Sequence, residues 1–220
     1  MYKKYFRKYI TFKFIRIRKY INEKDNIRIL DIGAGNHSAS KTKEIFVNCE
    51  YWGVDRCTDY ANTETDINVM DRFCEMDLTA LQFENIPDSY FDLIIMAHVI
   101  EHLPNGDQVI EKLLEKLAVN GIIYLEWPSI RSTKLPSKKG TLNFFDDASH
   151  VRIYSLREIY NLLLGNGLKF CEGGGRRSLR LIFLIPLKVI WDKLDRGYIL
   201  ASTFWDLLGF AEYCIFRRVS

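Results

Sequence analysis

The chain has 220 residues, of which 48% are hydrophobic and 27% charged. This composition fits one globular domain with a substantial core and excludes a wholly disordered chain. No run of about 18 apolar residues is present to predict a transmembrane helix, and the first residues lack the apolar stretch of a signal peptide. Five scattered cysteines without a Cys-x-x-Cys pair suggest neither a disulfide framework nor a thiolate zinc site. We therefore expect reduced thiols in a cytoplasmic protein.

Charge is distributed unevenly along the chain. Residues 1–20 contain eight Lys or Arg and no acidic residue, so subtracting eight from the total of +3 leaves −5 for the remainder. We predict a basic, helical N-terminal extension over residues 1–26. Such a segment is typical of a solvated helix laid over a domain, and also of one that contacts anionic lipid. Because the rest of the chain lacks a broad positive charge, nucleic acid is not favoured as the substrate.

From residue 27 onward, short β-rich runs alternate with helical patterns, which predicts an α/β fold with a parallel sheet. The predicted strands are 27–32, 51–55, 72–76, 91–97, 122–127, 168–171 and 212–218. Helices are predicted over 38–47, 107–119 and 156–164, with the second ended by Asn120-Gly121. Residues 56–71 and 129–149 are predicted to be irregular, and Gly173-Gly-Gly175 to be a flexible hinge. The apolar stretch 181–210 is predicted to be a helical insertion in a domain that spans 27–220.

The end of the first predicted strand carries an acid and two closely spaced glycines, Asp31, Gly33 and Gly35. Glycines at a strand-to-helix turn let the backbone approach a ligand that a Cβ would exclude. Twenty residues beyond Gly35, the second strand ends in Asp55, whose carboxylate can accept hydrogen bonds from both hydroxyls of an adenosine ribose. Together these features predict binding of a nucleotide-type cofactor.

Two details favour a sulfonium cofactor over a dinucleotide. The third glycine of a dinucleotide fingerprint is replaced by Ser38. Asp31 lies just before the turn, where it can receive a charged amino group but would repel a phosphate. An NAD-dependent oxidoreductase and a non-catalytic scaffold with the same fold remain alternatives at this point.

Ile29-Leu-Asp-Ile-Gly-Ala-Gly35 resembles motif I of class I S-adenosylmethionine-dependent methyltransferases, and Gly53-Val-Asp55 resembles their motif II. Phe91-Asp-Leu-Ile-Ile-Met-Ala-His-Val-Ile-Glu-His-Leu103 resembles the fourth-strand motif of the type 11/23 group. The resemblance covers about 27–172 and departs at His37, where many members have a third glycine. It implies a Rossmann-like, seven-stranded, mostly parallel sheet with helices on both faces. The cofactor-binding residues that it implies are Asp31, Gly33, Gly35, Asp55, Asp77, Leu78 and His98.

The segment His98-Val-Ile-Glu-His102 also matches the H-x-x-E-H pattern of some zinc hydrolases. That pattern needs both histidines on one helical turn and a third ligand nearby. Because His98 directly follows a strand and Pro104 soon breaks the chain, we do not favour this alternative and predict no metal site. We instead expect His98 at the edge of the cofactor site.

Phe144-Phe-Asp-Asp-Ala-Ser-His-Val-Arg-Ile-Tyr154 resembles an element of methyltransferases that are encoded with surface-polysaccharide enzymes. His150 is the candidate base for an acceptor hydroxyl, and Arg152 the candidate for binding its phosphate or carboxylate. Both residues have a purely structural alternative, which is to brace this loop against the core. No Asn/Asp-Pro-Pro-Tyr/Phe element follows the fourth strand, which favours an oxygen or carbon acceptor.

We therefore predict methyl transfer from S-adenosylmethionine to a small molecule or glycan, at oxygen. The basic N-terminus and the apolar segment 181–210 together suggest peripheral membrane contact near a lipid-linked acceptor. The same apolar segment is also typical of packing on the sheet or of a dimer contact, and the sequence leaves the oligomeric state open.

Overall fold

The computed structural model describes residues 11–58 and 60–219 and is centred on one seven-stranded sheet. The strand order is β3-β2-β1-β4-β5-β7-β6. The strands are β1 (Arg28–Ile32), β2 (Glu50–Asp55), β3 (Arg72–Glu75), β4 (Phe91–Ala97), β5 (Leu117–Pro128), β6 (Lys169–Gly175) and β7 (Ala211–Arg217). Strands β1 to β5 pair in parallel, and β7 runs antiparallel to both β5 and β6. The predicted Rossmann-like, mostly parallel sheet is confirmed.

Helices cover both faces of this sheet. They are α1 (Phe12–Ile17), α2 (Ser38–Ile45), α3 (Glu64–Asn68), α4 (Gly106–Lys116), α5 (Leu156–Gly165), α6 (Leu179–Phe183), α7 (Ile185–Arg196) and α8 (Trp205–Leu208). Strand residues alternate between two buried clusters, with Leu30 and Ile94 on one face and Ile29 and Ile95 on the other. Because both faces are covered, the central strands are apolar on both sides, as their sequence indicates.

The described part of the N-terminal extension packs on the domain. Phe12, Phe14 and Ile17 are buried in one of the two core clusters. On the outer side, Arg16 and Lys19 form ion pairs with Glu172 of β6, at 2.7 and 3.0 Å. These three apolar side chains of α1 therefore belong to the core and are not available to a lipid surface. Residues 1–10 lie outside the described residues, so the extension over 1–26 stays a prediction.

The predicted end of the helix after β4 is wrong. Helix α4 ends at Lys116, and β5 begins at Leu117, which pairs with Phe91. Asn120 does have a left-handed φ of +66°, but it lies within β5, and its N–H donates to the carbonyl of Arg218. Burial of Leu117 and sheet hydrogen bonding thus outweigh the helical pattern and the Asn-Gly signal.

Two further predictions of irregular chain are corrected. The triple glycine Gly173-Gly-Gly175 is not a hinge but the end of β6, where Gly173 pairs with Cys214 and Gly175 with Glu212. The segment predicted to be irregular over 56–71 contains α3. That helix is stabilised by a capping box, in which Thr63 and Asp66 satisfy each other's backbone N–H groups.

Between β6 and β7 the chain forms α6, α7, a 3-10 turn over Ala201–Phe204 and α8, in the region predicted to be a helical insertion. Within the described ranges, no helix combines the length and apolarity needed to cross a bilayer. All five cysteines are free thiols.

Candidate functional site

The glycine turn after β1 lies at the carboxyl edge of the sheet, between β2 and β4. Gly33 has a φ of +76°, and a Cβ at this position would lie 2.4 Å from Cγ2 of Val99. The N–H groups of Gly33 and Ala34 donate to the carbonyl of Val54, at 2.8 and 3.1 Å. Glycine is therefore required at position 33 by both conformation and packing.

Asp31 holds the turn from inside the domain. Its Oδ2 accepts hydrogen bonds from Ser38 Oγ at 2.5 Å and from Tyr51 Oη at 2.7 Å, and the residue is only 2% exposed. Burial, followed by the neighbouring Asp31 carboxylate, raises the pKa of Tyr51 well above its ordinary value. This oxygen of Asp31 thus ties α2 and β2 to the glycine turn. Ser38, which marks the departure from a dinucleotide fingerprint, has a structural role here.

Asp55 is the last residue of β2, and Asp77 lies two residues after the end of the neighbouring strand β3. Oδ1 of Asp55 accepts from the N–H of Arg56 at 2.8 Å. Partial burial raises the pKa of Asp55, and the backbone N–H groups of Arg56 and Gly35 oppose that rise. Asp77 is half exposed, and Thr79 lowers its pKa by donating from both its hydroxyl and its N–H. Two partly exposed carboxylates therefore lie at adjacent strand ends.

Asp66 connects this edge to the segment after β2. Its carboxylate accepts from Nδ1 of His37 at 2.6 Å, from the hydroxyl of Ser40, and from the N–H and hydroxyl of Thr63 at 2.7 and 2.6 Å. Burial acts to raise the pKa of Asp66, but these donors hold it well below its ordinary value. His37 has a left-handed φ of +59°, so the departure from the family's third glycine keeps a glycine-like conformation.

The sequence pattern did not reveal Asp66, although one signal was available. Thr63-x-x-Asp66 is a capping-box arrangement, and it marks the start of a helix inside the segment predicted to be irregular. The contacts to His37 and Ser40 depend on tertiary structure, which spacing alone does not predict.

A buried charged cluster lies at the same edge, at the ends of β4, β5 and β6. Nε2 of His98 lies 3.0 Å from Glu126, and its Nδ1 lies 3.3 Å from Glu101. Burial opposes the charged form of His98, but hydrogen bonds to Glu101 and Glu126 raise its pKa to about 9. The imidazolium is therefore the form of His98 at neutral pH.

Arg176 and Asp206 extend this cluster. Nη1 of Arg176 contacts Glu126 at 2.5 Å, and its Nη2 contacts Asp206 at 3.3 Å. The ring of Trp205 packs against His98 at a tilt of 48°, with ring centroids 4.8 Å apart. Sequence analysis missed Glu126 and Arg176. The signal for Glu126 was a single carboxylate within the otherwise apolar run Ile122-Ile-Tyr-Leu-Glu-Trp127.

His150 and Arg152 lie beside this cluster but face different partners. Nδ1 of His150 donates to the carbonyl of Phe144 at 2.6 Å, and its Nε2 lies 3.9 Å from carboxylate oxygens of Glu101 and Asp147. The His150 side chain is only 4% exposed. Arg152 pairs with Asp107 at 3.1 Å, and its side chain is about one-third exposed.

The zinc-hydrolase alternative does not fit this geometry. His98 has a left-handed φ of +57° and turns toward Glu126, whereas His102 faces Ser149, whose hydroxyl lies 3.0 Å from its Nδ1. Only a short 3-10 turn, Ile100–His102, connects them. The two histidines of the motif therefore do not share a helical face.

A family model described as "Methyltransferase domain", type 23, matches residues 2–172. A search of curated proteins finds no match.

Solved structures with the same fold are numerous. A SAM dependent methyltransferase from Archaeoglobus fulgidus is 20% identical, with 99% of this chain and 100% of that chain covered and a TM-score of 0.57. One from Mesorhizobium loti is 14% identical, with 94% and 98% covered and a TM-score of 0.66. Phosphoethanolamine N-methyltransferase 2 of Haemonchus contortus, solved with S-adenosyl-L-methionine, is 13% identical, with 93% of this chain and 51% of that chain covered and a TM-score of 0.65.

At these identities the structures establish the shared fold, while the family match establishes the class. The chain belongs to the methyltransferase domain family and is a class I S-adenosylmethionine-dependent methyltransferase.

Proposed function

We propose that this enzyme methylates an oxygen atom of a small molecule or saccharide, at the carboxyl edge of its sheet. The observation that carries the proposal is the position of the His150 loop on that edge. The backbone N–H of Val151 donates to the carbonyl of Glu101, at 2.9 Å, so the loop is fixed beside the end of β4. Ligands of open α/β sheets bind at this edge.

The donor set at the carboxyl ends of β1, β2 and β3 fits S-adenosylmethionine. The partly buried carboxylate of Asp55 suits the two ribose hydroxyls, and Asp77 with Leu78 suits the adenine. Gly33 and Gly35 shape the turn, while Asp31 stabilises it with one oxygen and His98 borders the site. The cofactor supplies an activated methyl group on a sulfonium, and the protein contributes mainly by aligning the acceptor with it.

His150 is the proposed residue for activation of the acceptor. Because its Nδ1 proton is engaged by Phe144, the Nε2 lone pair is the one that can receive a proton from a hydroxyl. Glu101 and Asp147, each 3.9 Å from Nε2, would stabilise the resulting imidazolium. Arg152 would bind an anionic acceptor group, in exchange for its surface pairing with Asp107.

The saccharide assignment has two supports of its own. The segment Phe144–Tyr154 resembles an element of methyltransferases that are encoded with surface-polysaccharide enzymes. Helices α6 and α7, between β6 and β7, have an exposed apolar surface. The side chains of this apolar stripe are Leu179, Phe183, Leu187, Ile190, Trp191 and Leu194, with exposed fractions between 49% and 81%. Their spacing puts them along one side of α6 and α7.

We propose that the apolar stripe rests on an anionic membrane surface. The exposed basic residues Arg180, Lys193 and Arg196 lie on the same two helices, and they are suited to lipid phosphates. Both helices follow the carboxyl end of β6, so they lie at the edge where the acceptor would bind. A lipid-linked glycan could then reach the site while the enzyme is bound to the membrane.

The first prediction concerns the cofactor residues. In calorimetric titrations, wild type should bind S-adenosylmethionine and S-adenosylhomocysteine but not NAD. Asp55→Ala should weaken both affinities about 100-fold, since it removes two hydrogen bonds from a charged acceptor. Asp25→Ala, which removes an exposed carboxylate before β1, serves as the control and should bind like wild type. Unchanged affinity in Asp55→Ala would contradict the ribose assignment.

The second prediction concerns the acceptor atom. A saccharide that the enzyme methylates should release S-adenosylhomocysteine, and the analogue in which the methylated hydroxyl is replaced by hydrogen should release none. His150→Gln should lower turnover about 100-fold, as expected for a group that activates the acceptor, and leave cofactor affinity unchanged. Equal turnover of a hydroxyl compound and its deoxy partner would exclude oxygen as the target.

The third prediction concerns the apolar stripe. Wild type should float with vesicles that contain phosphatidylglycerol, and less with phosphatidylcholine alone. Phe183→Asp with Leu194→Asp should abolish flotation, because two large apolar contacts are replaced by charges that the anionic lipid repels. The matched control is Phe145→Asp, at an exposed position outside the stripe. Loss of dimerisation in the double variant, without vesicle binding by wild type, would show that the stripe is a dimer contact.

A further inference from the structure

We infer that Glu101, His102 and His150 form a binding site for a divalent transition-metal cation. Each residue offers one ligand atom, and these three atoms lie within 4.8 Å of one another. Two imidazoles and a carboxylate are the donor set preferred by zinc and related cations, and they are less suited to Mg²⁺. The sequence pattern paired His102 with His98, whereas the fold pairs it with His150. Their rings lie 4.8 Å apart.

The histidines are held in the way that metal ligands usually are. His150 donates its Nδ1 proton to the carbonyl of Phe144 at 2.6 Å, which leaves the Nε2 lone pair as its ligand atom. His102 uses its Nδ1 toward Ser149, at 3.0 Å from the hydroxyl. A second hydrogen bond on the far ring nitrogen fixes the tautomer and orientation of a metal-binding histidine.

The negative charge near His150 also favours a bound cation. Its Nε2 lies 3.9 Å from Oε1 of Glu101 and 3.9 Å from Oδ2 of Asp147, so two carboxylate oxygens face this nitrogen. Glu101 is only 1% exposed, and its Oε2 has no hydrogen-bond partner among the described residues. An unpartnered buried carboxylate oxygen is costly, and a bound cation would satisfy it.

The size of the cluster is compatible with a metal. Ligand atoms about 2.1 Å from zinc lie about 3.4 Å from one another in a tetrahedral site. Closing the present separations therefore requires side-chain movements on the order of 1 Å. Oδ2 of Asp147, 3.9 Å from Nε2 of His150, is a candidate for a fourth ligand, and otherwise that position stays open to the acceptor.

The role of this cation rests on the proposed function. A cation held by Glu101, His102 and His150 would supply Lewis-acid activation, which would let an acceptor hydroxyl lose its proton to solvent more readily. The acceptor oxygen would then take the methyl group as the bond from carbon to sulfur breaks. His150 would then act as a ligand and not as the proton acceptor. Metal binding itself does not depend on the acceptor being a saccharide.

The test is titration of the full-length protein with Co²⁺ and Zn²⁺, without cofactor or acceptor. Wild type should bind one equivalent of Co²⁺, with visible absorption bands that Zn²⁺ displaces. His102→Gln and His150→Gln should each weaken binding at least tenfold. His37→Gln, which removes a histidine outside the cluster, should bind like wild type. Because His102 is partly exposed, its substitution should leave the fold intact, as circular dichroism would verify.

Two results would overturn the inference. One is the absence of stoichiometric Co²⁺ binding by wild type, and the other is equal binding by the His102→Gln and His150→Gln variants. If chelator-treated enzyme still methylates hydroxyl acceptors at the full rate, the cation has no part in turnover while the proposed function stands. If Co²⁺ binds as expected but no hydroxyl compound is methylated, the metal site stands and the proposed function fails.

Discussion

The buried carboxylate of Glu126 is the interaction on which the carboxyl edge of this sheet depends. Removing a charge from water costs several kcal/mol, and the cost is offset only where partners meet it with good geometry. Glu126 is 3% exposed and accepts from Tyr124, His98 and Arg176. Because these partners lie on β5, after β4 and after β6, one carboxylate fixes three chain segments. The site can therefore present its functional groups with little reorganisation.

Two buried carboxylates, Asp66 and Glu126, organise the proposed cofactor half and the proposed acceptor half of the edge. Asp66 joins the glycine turn and α2 to the segment after β2, on the cofactor side. Glu126 joins the end of β4 to Arg176 and, through Arg176, to Asp206 in α8. Since α8 contacts α6, which carries part of the apolar stripe, the proposed acceptor half is connected to the proposed membrane face.

The sequence alone predicted the sheet and the glycine turn, because both depend on local patterns. Strand β4 is an unbroken apolar run, and the Gly33 turn needs a left-handed residue. The partners in the charged clusters could not be predicted, because Asp66 and Arg176 meet theirs only when distant strands come together. The predicted end of α4 was wrong for a related reason, because the pairing of Leu117 with Phe91 determines where the helix ends. Local propensity gives way to tertiary contacts at each of these positions.

The central claim is that the Glu126 cluster keeps His98 protonated, and NMR titration of the imidazole tests it most directly. The resonance that disappears in His98→Gln identifies the residue. Our account predicts a pKa of about 9, raised from 6.5 by Glu101 and Glu126 against the effect of burial. Since the folded value is the higher one, this stabilisation is complete below pH 6.5 and is lost as pH rises through 9. A measured pKa at or below 6.5 would show that His98 is neutral and that Glu126 does not organise the edge through charge.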